Sequence, residues 1–292
     1  MYSAISANKR NTVLIMAAFV GLIAAIGYVV SYYYGDPKIT YWVIGIAAFY
    51  ALAQYYFATS LAVMMTGARQ IEKRDNPRFY RIVENLSIAT GSLMPKVYII
   101  EDSAPNAFAT GRDPQHAIVA ATTGLIDMMT DSELEAVMAH EMGHVQNYDI
   151  RLSMITFGLV SVIGVLSDIA MRMFFFGGDR DREDTSPVVM IIGIILIILA
   201  PIIAVIIQMA VSRQREFLAD ATSAMTTRHT DAMISALEKL KTGGRPMKRQ
   251  NPAASHLFFA NPLKAGSINK LFSTHPPIDE RIARLKENAN KF

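Results

Sequence analysis

The chain of 292 residues contains no cysteine, which excludes disulfides, thiolate metal sites and a cysteine nucleophile. Apolar residues make up 52% and charged residues 18%, against about 25% charged in an ordinary soluble chain, and the excess is gathered in four long blocks, so the water-facing part is smaller than the length implies. The net charge of +3 is small, and the basic residues cluster beside the apolar blocks, which suits a membrane surface as partner and not nucleic acid.

The first two blocks, Thr12 to Tyr34 and Tyr41 to Thr66, hold no charged residue, and each exceeds the ~20 residues that cross a bilayer as a helix. The turn Gly35-Asp36-Pro37-Lys38-Ile39-Thr40 joins them, so residues 1–66 read as an N-terminal transmembrane hairpin. A cleaved signal peptide is the alternative for the first block, but the apolar run is too long and a second span follows at once.

Residues 67–151 read as an α+β unit, the first half of a catalytic domain. Phe79, Ile82, Val83 and Leu86 give Arg78 to Thr90 helical spacing. Lys96 to Ile100, Ala107 to Thr110 and Ala117 to Ala120 read as strands, the last two joined by a turn at Gly111-Arg112-Asp113-Pro114. Thr130-Asp131-Ser132-Glu133 fits a capping box that opens a helix with Leu134, Val137 and Met138 on its apolar face.

Residues 152–212 read as a second transmembrane hairpin. Its first span, Leu152 to Phe176, carries Asp168 and Arg172, spaced to pair on one helix face, and a half-buried helix pair lining the catalytic domain is its competitor. Its second span, Pro187 to Ser212, is uncharged. Residues 213–292 form the second half of the catalytic domain. The helix continues over 213–240, a Gly-, Pro- and Asn-rich loop covers 242–274, and Pro276-Pro277 opens a last helix with Ile278, Ile282 and Leu285 on one side. Lysine and arginine lie near the span ends at Lys9, Arg10, Arg69, Lys73, Arg74, Arg213 and Arg215, whereas Gly177 to Ser186 has two Arg against four acids. The positive-inside rule then puts both termini and the catalytic halves in the cytoplasm.

His140-Glu141-Met142-Gly143-His144 lies on the capped helix. A four-residue spacing puts both imidazoles on one face, able to grip one ion, with Glu141 beside them in reach of a water on that ion. Zinc suits nitrogen and oxygen ligands and needs no redox partner. A catalytic zinc takes a third protein ligand, and Glu216 is the candidate. Its helix emerges from the fourth span as the His helix runs on into the third, which brings the two together about 14 Å from the bilayer. Asp220, one turn on, can accept the far N–H of a zinc-bound histidine. On spacing alone, a solvated acid paired with Arg213 or Arg215 is an equal reading of Glu216. His116, His229 and His256 read as ordinary histidines.

With Asn106-Ala107-Phe108-Ala109-Thr110-Gly111, Ser212-Arg213-x-Arg215-Glu216-x-x-Ala219-Asp220 and Ser273-Thr274-His275-Pro276-Pro277, these motifs resemble the gluzincins. They resemble above all the HtpX-type membrane-integrated zinc metallopeptidases of bacteria, whose eukaryotic cousins include the CAAX prenyl endopeptidase. The likeness runs over essentially the whole chain. It implies four transmembrane helices and a mainly helical, zincin-like cytoplasmic domain of α+β class with a small edge-exposed sheet. It implies one Zn2+ held by His140, His144 and Glu216, with Glu141 as general base, Asp220 orienting His140, and His275 donating to the oxyanion or else capping the last helix. Ala107, Phe108 and Ala109 would offer an edge strand to an extended substrate, with Asn106 holding substrate backbone.

The expected function is a metalloendopeptidase of the bacterial inner membrane that degrades misfolded or damaged membrane proteins at the cytoplasmic face, in quality control and stress response. A narrower processing enzyme resembling the prenyl endopeptidase ranks second, because four spans are few for the cavity it needs. A scaffold or transporter with a structural zinc ranks third, because such a site normally closes with four protein ligands. Lipid and unfolded membrane proteins are the expected partners; oligomeric state is not legible.

Overall fold

The computed structural model describes residues 2–155, 158–159, 215–249, 257–260 and 276–289. Two long helices come first, α1 (Tyr2–Tyr34) and α2 (Lys38–Thr66), packed as a hairpin through a turn in which Gly35 takes φ +67°. Small residues let them approach. Ala47 and Ala51 of α2 pack with Phe19 and Ile23 of α1, and a Cβ on Gly27 would lie 2.8 Å from Val43; the same buried alanine stripe continues through Ala58 and Ala62, which pack against Met154. The outer face is the reverse: Trp42, Phe49, Phe57 and Met64 are all more than two-thirds exposed. A continuous apolar surface of that kind belongs against lipid. Among the described residues, α2 is the helix long and apolar enough to cross a membrane. The expected third span is described only at 152–155 and 158–159, where it is helical, and the fourth lies outside the described residues.

The unit that follows the hairpin is built on a four-stranded sheet of order β1-β2-β4-β3, with β1 (Arg69–Gln70), β2 (Lys96–Ile100), β3 (Ala107–Thr110) and β4 (Ile118–Thr122). β2 and β4 run parallel, while β1 pairs with β2 and β3 with β4 antiparallel. β3 is therefore an edge, as expected. The β3–β4 connection turns at Gly111, where a side chain would meet the backbone of His116 and Ala117 at 2.8 Å. Two short elements escape a reading by period: β1, and a six-residue helix α4 (Thr123–Met128) that Thr122 caps through Leu125 N–H.

Helix α3 (Pro77–Thr90) begins on Asn76, whose side chain accepts from Phe79 N–H, and ends at Gly91 with φ +63°. Helix α5 (Asp131–Gln146) has both halves of its capping box in place, Thr130 on Glu133 N–H and Glu133 on Thr130 N–H. It is buried from Glu133 almost to its end, because β3, β4, α3 and α8 (Thr230–Gly243) surround it. Leu134, Val137 and Met138 meet Val83, Val119 and Leu237 in this main core. On the other face of the sheet, Phe108 and Ile118 pack with Met247 and Phe258, beneath the end of α2.

Two expectations about helix continuity are corrected. Helix α5 does not run on into the next span. It stops at Asn147, Tyr148 takes φ +61°, and a new helix α6 starts at residue 149 and is described to 155. Nor is 213–240 one helix: α7 covers 215–227, the chain breaks at Arg228 with φ +54°, and α8 follows. At that break Thr227 returns its hydroxyl to Ser223 C=O, a local bond that competes with helix propagation. The last helix, α9 (Ile278–Asn288), follows Pro277 as expected.

Candidate metal centre

The ligand triad forms where α5 and α7 cross. Gly143 faces Thr222 and Ala219 of α7, and a Cβ there would stand 3.3 Å from Thr222 Cγ2, so its bareness sets the approach of the two helices. Ser223 pins the same crossing by donating to Ala136 C=O at 2.6 Å. Glu216 is thereby carried to the two histidines, and at 4% exposure it is not a solvated acid.

His140 Nε2 and His144 Nε2 lie 3.1 Å apart, and the Glu216 carboxylate stands 3.6 Å from the first and 3.4 Å from the second. Ligands about 2.0–2.1 Å from one ion at tetrahedral angles sit about 3.3 Å from each other, so the observed triangle has the right size. The chemistry of the donors agrees. His140 Nδ1 faces Asp220 at 2.9 Å and His144 Nδ1 faces Asp149 at 3.1 Å. With a cation bound, each carboxylate would hold its imidazole proton on Nδ1 and leave both Nε2 lone pairs converging on one point beside a third anion. A cation belongs there.

The electrostatics say the same. Burial opposes charge on His144, but the carboxylates of Asp149 and Glu216 outweigh it and push its pKa up to about 10. Burial likewise opposes charge on Asp220, yet the Arg281 guanidinium and His140 hold its carboxyl below the usual range. Arg281 grips Asp220 with two hydrogen bonds, approaches Glu216 at 3.7 Å and is 1% exposed. Glu141 is buried on α5 next to His140.

Asp149 and Arg281 are missed by the sequence reading. Asp149 lies past the helix break, where helical spacing no longer counts. Arg281 left a signal: it falls between Ile278 and Leu285 on the apolar face of α9, and a charge there needs a buried partner.

The edge strand holds a second surprise. Thr122 N–H donates to Asn106 C=O, so by alternation Asn106 and Phe108 turn their backbone groups to β4, and Ala107 and Ala109 turn theirs to the open edge. Phe108 thus offers no backbone to a substrate, and its ring is in the core. Ala107 C=O already accepts from Phe259 N–H at 2.8 Å, and the Asn106 amide bonds both N–H and C=O of Ala260 at 3.0 and 2.7 Å. The Asn106 amide thus grips a backbone, here that of the chain's own segment at 257–260. Phe259 meets the His140 ring edge to face, centroids 4.9 Å apart at an interplanar angle of 87°. His275 lies outside the described residues.

Residues 73–289 match peptidase family M48. A "Protease HtpX homolog" of Tropheryma whipplei strain Twist is 53% identical over the whole of both chains. One from Streptococcus gordonii is 43% identical, covering 98% of this chain and 99% of the relative. The crystal structure of S. mikatae Ste24p resembles the fold with a TM-score of 0.53 at 19% identity, over 98% of this chain and 67% of that one. A triad sized for one ion and a family match over most of the chain agree: the protein belongs to peptidase family M48 and is a metallopeptidase.

Proposed function

We propose that the chain is a zinc-dependent endopeptidase of the cell membrane that cleaves misfolded or damaged membrane proteins at the cytoplasmic face. The observation that carries the chemistry is the His140–His144–Glu216 triangle, with a carboxylate behind each imidazole. Zinc, when bound, supplies a Lewis acid and an acidified water. Glu141 takes the water's proton on its carboxylate and passes it to the leaving amine. Asp220 and Asp149 keep His140 and His144 in one tautomer, and His275 donates to the developing oxyanion. An extended substrate adds to β3 through Ala109, a mode that reads backbone and so tolerates many sequences, as disposal of unfolded chains requires.

The site rests against a helix pair whose outer surface is apolar. The reading includes four spans, the hairpins 1–66 and 152–212, and puts both termini and the segments 67–151 and 213–292 on the cytoplasmic side; the lysine and arginine gathered near the span ends support that orientation. The test is Glu141→Gln in the full chain. Zinc content and fold are expected to match wild type while casein cleavage is lost. Full cleavage by that variant would refute the mechanism. Cleavage confined to one prenylated peptide, with a panel of unfolded membrane proteins left intact, would refute the substrate class.

A further inference from the structure

Helix α1 reaches the metal centre through Asn8. Asn8 lies at the start of α1, four residues ahead of its uncharged stretch, and is 8% exposed. Its Nδ2 donates twice, to Asp149 Oδ1 at 2.7 Å and to Asn147 C=O at 2.8 Å. The other oxygen of Asp149 faces His144 Nδ1 at 3.1 Å. Amide, carboxylate and imidazole therefore stand in series, and the far nitrogen of that imidazole points at the triad.

We propose that Asn8 is a positioning residue for His144, acting through Asp149, so that the N-terminal helix is a working part of the metal centre as well as an anchor. The inference rests on the reading of His140, His144 and Glu216 as zinc ligands. The turn that carries Asp149 needs outside support: Tyr148 sits in the left-handed region, where the Cβ of a non-glycine residue crowds its own backbone. Residues of α1 supply it, because Lys9 places its ammonium 4.3 Å from the centre of the Tyr148 ring while Asn8 takes the carbonyl before it and the carboxylate after it. The choice of an amide matters. Asn8 fixes one carboxylate oxygen without neutralising it, so Asp149 keeps its charge for the imidazole. Arg215 stands 3.8 Å from that same oxygen, and without Asn8 the carboxylate would be free to turn toward it, releasing His144 from its tautomer and angle.

The test uses the full chain in detergent or nanodiscs: wild type, N8A, N8D, D149N, the pair N8D/D149N, and L14A as a control on the exposed side of α1. Zinc affinity is read by chelator competition, the metal-free thermal midpoint by unfolding, and kcat and KM on one peptide. Removing a residue that orients a ligand typically costs 10–100-fold in metal affinity or activity. One step further out, N8A is expected to weaken zinc about 3- to 10-fold and to lower kcat with KM within about twofold. N8D, which sets two carboxylates face to face, should be worse. The pair should recover part of the loss, since the amide introduced at 149 donates to the carboxylate introduced at 8 and still accepts from His144. L14A should match wild type. A lowered thermal midpoint with wild-type zinc affinity and kcat in N8A would make Asn8 a mere staple and overturn the proposal. If N8A does not fold, the pair decides: zinc losses in N8D and D149N that simply multiply in the pair overturn it. A wild type that binds no zinc overturns the zinc reading first, and this one with it.

Discussion

Arg281 holds Asp220 with two hydrogen bonds, Nε to Oδ2 at 2.9 Å and Nη2 to Oδ1 at 2.6 Å, and all of it is buried behind His140. A fork of this kind fixes the carboxylate in plane as well as in charge, which lysine cannot do. R281K is therefore expected to fold but to lose about 10–100-fold in zinc affinity, measured by chelator competition. R281M leaves a buried carboxylate without its counter-charge and should lose about 3–5 kcal/mol of stability, measured by denaturant unfolding. The double variant R281M/D220N should recover much of that stability and none of the activity. Wild-type zinc affinity in R281K would show that Arg281 neutralises Asp220 without aiming it.

Metal binding should be linked to protons. The His144 pKa is raised to about 10 in the folded chain, against 6.5 for the free group. The sign follows: in the metal-free protein the contacts of charged His144 contribute full stability below about pH 6.5, and that contribution is lost as pH rises toward 10. Zinc takes the same site and displaces the proton, so its affinity should climb with pH through that window while the metal-free form weakens. Calorimetry at pH 7.5 in two buffers of different ionisation heat should show about one proton released per zinc. Equal heats in both buffers would place a neutral His144 in the metal-free site.

How much of this was legible in the residues depends on whether the cause was periodic. The capping box at Thr130, the histidine spacing and the apolar face of α9 are local repeats, and each stands where the spacing puts it. The breaks at Tyr148 and Arg228 are not periodic. Both residues adopt left-handed backbone without being glycine, so no turn residue announces them. Asp149 was missed for that reason. The third ligand needed more than spacing, because Glu216 reads equally as a surface acid until the bare Gly143 brings α7 against α5. Asn8 is the extreme case: a polar residue ahead of a span has a bland reading in any sequence, and only the fold shows what it holds.

Gly143 should be intolerant of side chains in a graded way. A methyl group there sits 3.3 Å from Thr222 Cγ2, a contact that α7 can meet only by yielding a few tenths of an ångström. G143A should fold and bind zinc more weakly, because Glu216 is carried by the helix that yields. G143L should lose zinc altogether, with overpacking costing about 1–3 kcal/mol of stability. T222A adds room and is expected to rescue G143A. Absence of rescue would mean that the glycine serves a purpose other than the approach of α7.

Phe259 occupies space that a substrate on β3 would use. Its N–H takes the outward carbonyl of Ala107, its neighbour Ala260 fills both hydrogen-bonding groups of Asn106, and its ring contacts both His140, centroids 4.9 Å apart, and the Arg281 guanidinium, 4.5 Å from the ring centre. Both rings are buried, but on different faces of the sheet: Phe259 joins the main core, whereas Phe258 packs on the other face, against Phe108 at 5.3 Å. The two adjacent phenylalanines should therefore separate on mutation. F258A empties a core site and is expected to cost about 3–5 kcal/mol in stability. F259A also empties a buried site and should cost stability, but because it removes a competitor beside the triad it should in addition lower KM for an extended peptide several-fold while kcat changes little, since no group that handles the proton is touched. N106A should raise KM, because the amide that grips Ala260 is the one an incoming backbone needs. A rise in KM for F259A would make the ring a wall of the substrate subsite, and the segment at 257–260 would then be part of the cleft and not an occupant of it.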